Sequence, residues 1–126
     1  MKEILLYLWQ LPQNLLGLAL VAIYGAKRQT VVFSKWTSEV FDVYVSSRMR
    51  GGISLGKYII LDNWHTRNDI LHEHGHQIQS RRLGWFYLPT VGLVSGLRAG
   101  LNLYKPGRYY DAWPENEADK LGGVMR

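Results

Sequence analysis

The run Ile70-Leu71-His72-Glu73-His74-Gly75-His76-Gln77 holds two histidines four residues apart, with a glutamate directly after the first. On a helix, about 100° per residue returns positions four apart to nearly one face, one turn along. His72 and His76 are then spaced to put ring nitrogens on one ion at about 2.0–2.1 Å. Glu73 projects toward the same side without displacing either ligand. There it is placed to take a proton from a water activated by that ion. The chemistry these residue types can do is metal-assisted hydrolysis.

Two histidines leave such a site incomplete, because a catalytic zinc ordinarily has three protein ligands and one open position. The chain has no cysteine, so the third ligand must be another histidine or a carboxylate. The segment Trp113-Pro114-Glu115-Asn116-Glu117-Ala118-Asp119 supplies candidates. Glu115 and Asp119 are four apart and share a helix face. One can bind the ion while the other accepts a hydrogen bond from the free ring nitrogen of His72, which fixes the tautomer. Glu117 is expected to point away; together with Asp111 it is a rival ligand. His74 lies half-way round the helix from the histidine pair and reads as an exposed or packing residue. His65, Tyr109 and Tyr110 are candidate oxyanion stabilisers, beside the plainer roles of loop histidine and packing aromatics. Gly75 costs its helix about 1 kcal/mol relative to Ala, which suggests the close approach of another backbone.

His-Glu-x-x-His followed by Glu-x-x-x-Asp on a later helix resembles the gluzincin group of zinc metallopeptidases, the thermolysin-like arrangement. The longer string from residue 68 onward, with Glu-x-x-Ala-Asp-x-Leu-Gly-Gly near its end, also resembles small uncharacterised bacterial and phage proteins with peptidase motifs. The resemblance implies one Zn²⁺ ion held by His72, His76 and Glu115. It makes Glu73 the general base, Asp119 the orienter of His72, and a peptide or protein the substrate. Zincins also place an edge strand beside the active helix, and residues 53–61 precede the helix at a suitable distance. The chain is far shorter than thermolysin and lacks most of its second lobe, so a large cleft is not implied.

The elements that must position these residues can be read in turn. A helix should start near Thr66, capped by Thr66 or Asn68, with Asp69 in its first turn and Gly84 as its stop. Arg81-Arg82 should solvate its end. The final helix should begin at Pro114 and end before Gly122-Gly123. Upstream, residues 30–33, 40–45 and 53–62 are rich in β-branched and aromatic side chains and read as three strands of a small antiparallel sheet, with a bulge or close approach at Gly56. Residues 83–97 are uncharged but broken by Pro89, Gly92 and Gly96, which suggests a buried or membrane-dipping helical segment. In it, Trp85, Phe86 and Tyr87 read as core or interface anchors.

Residues 4–26 carry no charge, about the length a bilayer core needs, but Gln10, Pro12, Gln13 and Asn14 interrupt them. A spanning helix, an interfacial hairpin and a buried core helix are the three readings. If the segment spans, Lys27-Arg28 should lie on the cytoplasmic side. With 126 residues, 47% of them apolar, the chain should fold. The expected organisation is an apolar N-terminal helical segment over residues 1–28 and a metal-binding domain over 29–126. The fold class is α+β, a minimal zincin-like unit. The net charge of +5 is scattered and borders apolar runs, so no nucleic-acid partner is expected and membrane association is. The protein should be membrane-associated, or otherwise cytoplasmic. An alternative function is a membrane-associated accessory protein whose metal site is non-catalytic.

Overall fold

A computed structural model describes residues 2–100 and 113–124. The fold is α+β. The described helices are α1 (Lys2–Trp9), α2 (Leu11–Tyr24), α3 (Arg67–Leu83), α4 (Leu93–Gly100) and α5 (Glu115–Gly122). The strands are β1 (Lys27–Ser34), β2 (Glu39–Val45), β3 (Gly52–Leu55) and β4 (Tyr58–Leu61).

The sheet is mixed, which corrects the expectation of an antiparallel one. Its order is β1-β2-β4-β3. Two antiparallel hairpins meet through a short parallel pairing in which Tyr44 faces Ile60 and Val45 faces Leu61. The run 53–62 is a hairpin, not one strand. Gly56 takes φ +62°, which a β-branched or bulky residue rarely adopts, and the chain reverses there. The reversal leaves β3 at the edge of the sheet, beside α3. Phe41, Val43, Ile59 and Leu61 form the apolar core, and Ile70 of α3 packs against it.

Helix α3 begins as its sequence dictates. Thr66 accepts a hydrogen bond from the Asp69 amide, and Asp69 accepts one from the Thr66 amide, a reciprocal capping box. Gly84 is its C-cap. Eight of its 17 residues are buried, and all but Gly75 of these are polar: His72, Glu73, His74, His76, Gln77, Gln79 and Ser80. Burying so many polar groups is tolerable only where each finds a partner.

Several of those partners come from the polar residues that interrupt the first apolar run. Ser80 donates to Gln10 Oε1 at 2.6 Å, and Gln13 Nε2 donates to Ser80 Oγ and to the Gly84 carbonyl, both at 2.8 Å. Asn14 Oδ1 accepts from the Lys57 amide at 2.7 Å in the β3–β4 turn. Gly17 lies against the Leu55 carbonyl and the Tyr58 ring, where a Cβ would come within 3.0 Å of both. Helices α1 and α2 meet at 86°, and among the described residues no single helix is long and apolar enough to cross a membrane.

The second apolar stretch is broken as its glycines and proline suggest. A 3-10 turn over Gly84–Phe86 and a π-helical turn over Leu88–Gly92 lead into α4. Tyr87 is buried, whereas Trp85 and Phe86 are exposed. Helix α5 includes Gly122, with Gly123 as its left-handed cap, one residue later than expected.

Candidate metal centre

Helices α3 and α5 pack backbone to backbone. A Cβ on Gly75 would sit 1.8 Å from the Ala118 carbonyl oxygen, and one on Gly122 would sit 1.9 Å from that of Leu71. Only glycine admits this approach, and it brings the first turn of α5 over His72 and His76. The carboxylate of Glu115, fully buried, enters between them. His72 Nε2 lies 3.1 Å and His76 Nε2 3.3 Å from the same oxygen, Glu115 Oε2. A tetrahedral ion with bonds of about 2.0–2.1 Å, as for zinc, separates its ligand atoms by about 3.3 Å. The three side chains could hold one metal ion together.

The rings are fixed from behind. His72 Nδ1–H donates to Asp119 Oδ1 at 2.7 Å, so in the neutral ring the lone pair falls on Nε2. His76 Nδ1–H donates to Gln79 Oε1 at 2.7 Å with the same result. Gln79 in turn donates to the Pro114 carbonyl and to Glu117 Oε1, both at 3.0 Å. Ser95 of α4 donates to Glu115 Oε1 at 2.8 Å and holds the oxygen that faces away from the histidines.

Gln79 and Ser95 were not among the sequence candidates. Gln79 had a legible signal, because it follows His76 by three residues on one helix. Ser95 had none; only the tertiary fold brings α4 to α5. Glu117 does not point away: it is half-buried and bonded to Gln79. His74 is a packing residue, stacked on Phe41 at 4.0 Å, donating to Gln77 and accepting from Thr37 Oγ1. Arg81 pairs with both carboxylate oxygens of Glu39 and does not merely solvate the helix end. His65 donates from Nδ1 to the Asp62 carbonyl at 2.7 Å, a local loop contact. Tyr109, Tyr110 and Asp111 lie outside the described residues.

Electrostatics follow from crowding three ionisable groups in a buried site. Burial works against the charge on each. Even so, hydrogen bonds from His72 and His76 hold the Glu115 carboxyl well below the usual carboxylate range. Burial opposes protonation of His76 too, but Glu115 and Glu73 outweigh it and raise its pKa to about 9. His72 moves the same way for the same reasons. In Glu73 burial prevails and raises the pKa, against the pull of the two histidines.

Glu73 forms no hydrogen bond with another described residue. It lines two cavities: one of about 290 Å³ with Arg50, Asp62, Trp64 and His72, and one of about 220 Å³ with Leu55, His76, Tyr87, Val91 and Ser95. Its Oε1 faces Gly52 on the edge strand, where a Cβ would come within 3.3 Å. The site therefore opens along β3, with the Glu73 carboxyl between the two cavities. No family model, curated protein or solved structure matches this chain.

Proposed function

We propose that this protein is a small zinc-dependent metallopeptidase of the gluzincin type, built on a minimal zincin-like fold. The observation that carries the reading is the convergence of His72 Nε2 and His76 Nε2 on one oxygen of Glu115, each ring pinned through its other nitrogen. Two imidazoles and one carboxylate are a donor set typical of catalytic zinc, which leaves a fourth position open. A bound zinc ion supplies Lewis acidity there, lowering the pKa of a water toward ~7 and polarising a carbonyl.

The chain's own residues do the rest. Glu73, with its pKa raised by burial, accepts the proton of the attacking water and returns it to the departing amine nitrogen. Asp119, Gln79 and Ser95 keep the ligands from turning. The open edge of β3 offers main-chain pairing to an extended peptide, and the two cavities beside Glu73 accept flanking side chains.

The test pairs metal analysis with hydrolysis of a mixed peptide library. Glu73→Gln should keep zinc and lose about 10²–10⁴ in rate. His72→Ala and Glu115→Ala should lose both zinc and activity. Full zinc retention in the last two variants would end the reading. Zinc-loaded protein that cleaves nothing in the library would favour the non-catalytic accessory role.

A further inference from the structure

We infer that α1, α2 and the Trp85–Phe86 turn form one face that docks in the surface of an anionic lipid bilayer without crossing it. The polar atoms of the N-terminal segment are committed inward: Gln10, Gln13 and Asn14 are buried against α3 and the β3–β4 turn. On α2 the inward stripe is Gln13, Asn14 and Gly17. At helical spacing Leu15, Ala19, Ala22 and Ile23 lie across the helix from it. Helix α1 likewise leaves Ile4, Leu5 and Leu8 exposed.

The Trp85–Phe86 turn continues this face. The Trp9 ring lies against Gly84, and Trp85 Nε1 donates to the Leu8 carbonyl. Phe86, 67% exposed, stands beside them. Apolar side chains thus project from three adjoining elements, while the amide groups of Gln13 and Asn14 on α2 turn inward to partners behind. That is the form of an amphipathic surface lying in the headgroup boundary. It is larger than the scattered single apolar residues of an ordinary surface.

Geometry argues against a span. The two helices bend by 86°. Straightening them would tear Gln13 from Ser80 and Asn14 from the Lys57 amide.

The rim selects the occupant. Lys2 stands at the start of α1, Lys27 and Arg28 follow α2, and Arg82 precedes the Trp85–Phe86 turn, all exposed. Arg48 reaches the Ile23 carbonyl at the end of α2. Glu3 is the acid on α1 itself, and Asp42, 3.9 Å from Arg28, offsets part of that charge from the sheet side. A symmetric pairing of two copies would set these cations against each other. Anionic headgroups attract them, at about 1 kcal/mol per Lys or Arg near the surface.

The experiment is sedimentation of the purified full chain with phosphatidylcholine vesicles, with and without phosphatidylglycerol. Binding is expected to anionic vesicles and to fall with salt. Lys27→Glu with Arg28→Glu should lower partitioning about tenfold or more. Leu8→Asn or Ile23→Asn should each lower it about tenfold. Both sites are exposed, so circular dichroism should stay that of the parent. Glu73→Gln should bind vesicles like the parent, which separates this proposal from the peptidase reading. Three results would overturn it: no preference for anionic vesicles, protein that only detergent extracts from them, or a dimer that Leu8→Asn dissociates and that ignores lipid.

Discussion

His72 and His76 owe their orientation to neighbours that never touch the ion site. Removing one such neighbour should loosen metal affinity without removing a ligand. Asp119→Ala and Gln79→Ala are each expected to lower zinc affinity by about 10–100-fold, measured by competition with a chromophoric chelator. Ser95→Ala should have a smaller effect, because Glu115 keeps both histidine contacts. His74 gives a different prediction. Burial lowers its pKa in the folded protein. Below about pH 6.5 the unfolded chain therefore gains a proton at this site that the folded chain refuses. The contribution of His74 to stability should rise with pH through that window and then level off. Urea titrations at several pH values check this, and His74→Gln should show a flatter dependence than the parent.

Among the elements, the α3–α5 contact carries most of the consequence. Gly75→Ala would raise helix propensity by about 1 kcal/mol. The added methyl, however, meets the Ala118 backbone at 1.8 Å, and overpacking of this kind costs typically about 1–3 kcal/mol. Steric conflict wins, and α5 must move away with Glu115. The variant should melt lower and lose zinc together. Helix α3 was legible because its signals are local: a cap, a carboxylate three residues on, and a glycine stop. The strands' existence was legible for the same reason. Their pairing was not, because whether β4 lies beside β2 or β1 depends on contacts distant in sequence. The hairpin at Gly56 was missed because one glycine in an apolar run fits a bulge as well as a reversal. The pair Glu115 and Asp119 was legible from spacing; Ser95 came from an element whose position the sequence does not encode locally.

At the scale of the molecule, the apolar core among the described residues is small, while the central helix buries mostly polar groups. Such a fold gains much from a ligand that binds only the native state. Zinc in the proposed site, at a hundred times its dissociation constant, should add about 2.7 kcal/mol. For a chain of this size that corresponds to about 10 °C in melting temperature, so stripping with a chelator should lower the midpoint by a shift of that order in scanning calorimetry. The N-terminal helices belong to this same accounting. Deleting residues 1–28 would leave Ser80 and the Lys57 amide without their buried partners. The truncated chain should show weak, non-cooperative unfolding by circular dichroism.

The contact of Gly75 with Ala118 and of Gly122 with Leu71 also bears on how the sequence can drift. If every position were randomised and survivors selected for metal uptake, two silent-looking hydrogens would prove as unforgiving as the imidazoles themselves. The exposed side chain of Lys120 would vary far more widely. A reader of such survivors would find the signature of the proposed centre in paired absences of side chain, one on each helix, as plainly as in its three candidate ligands.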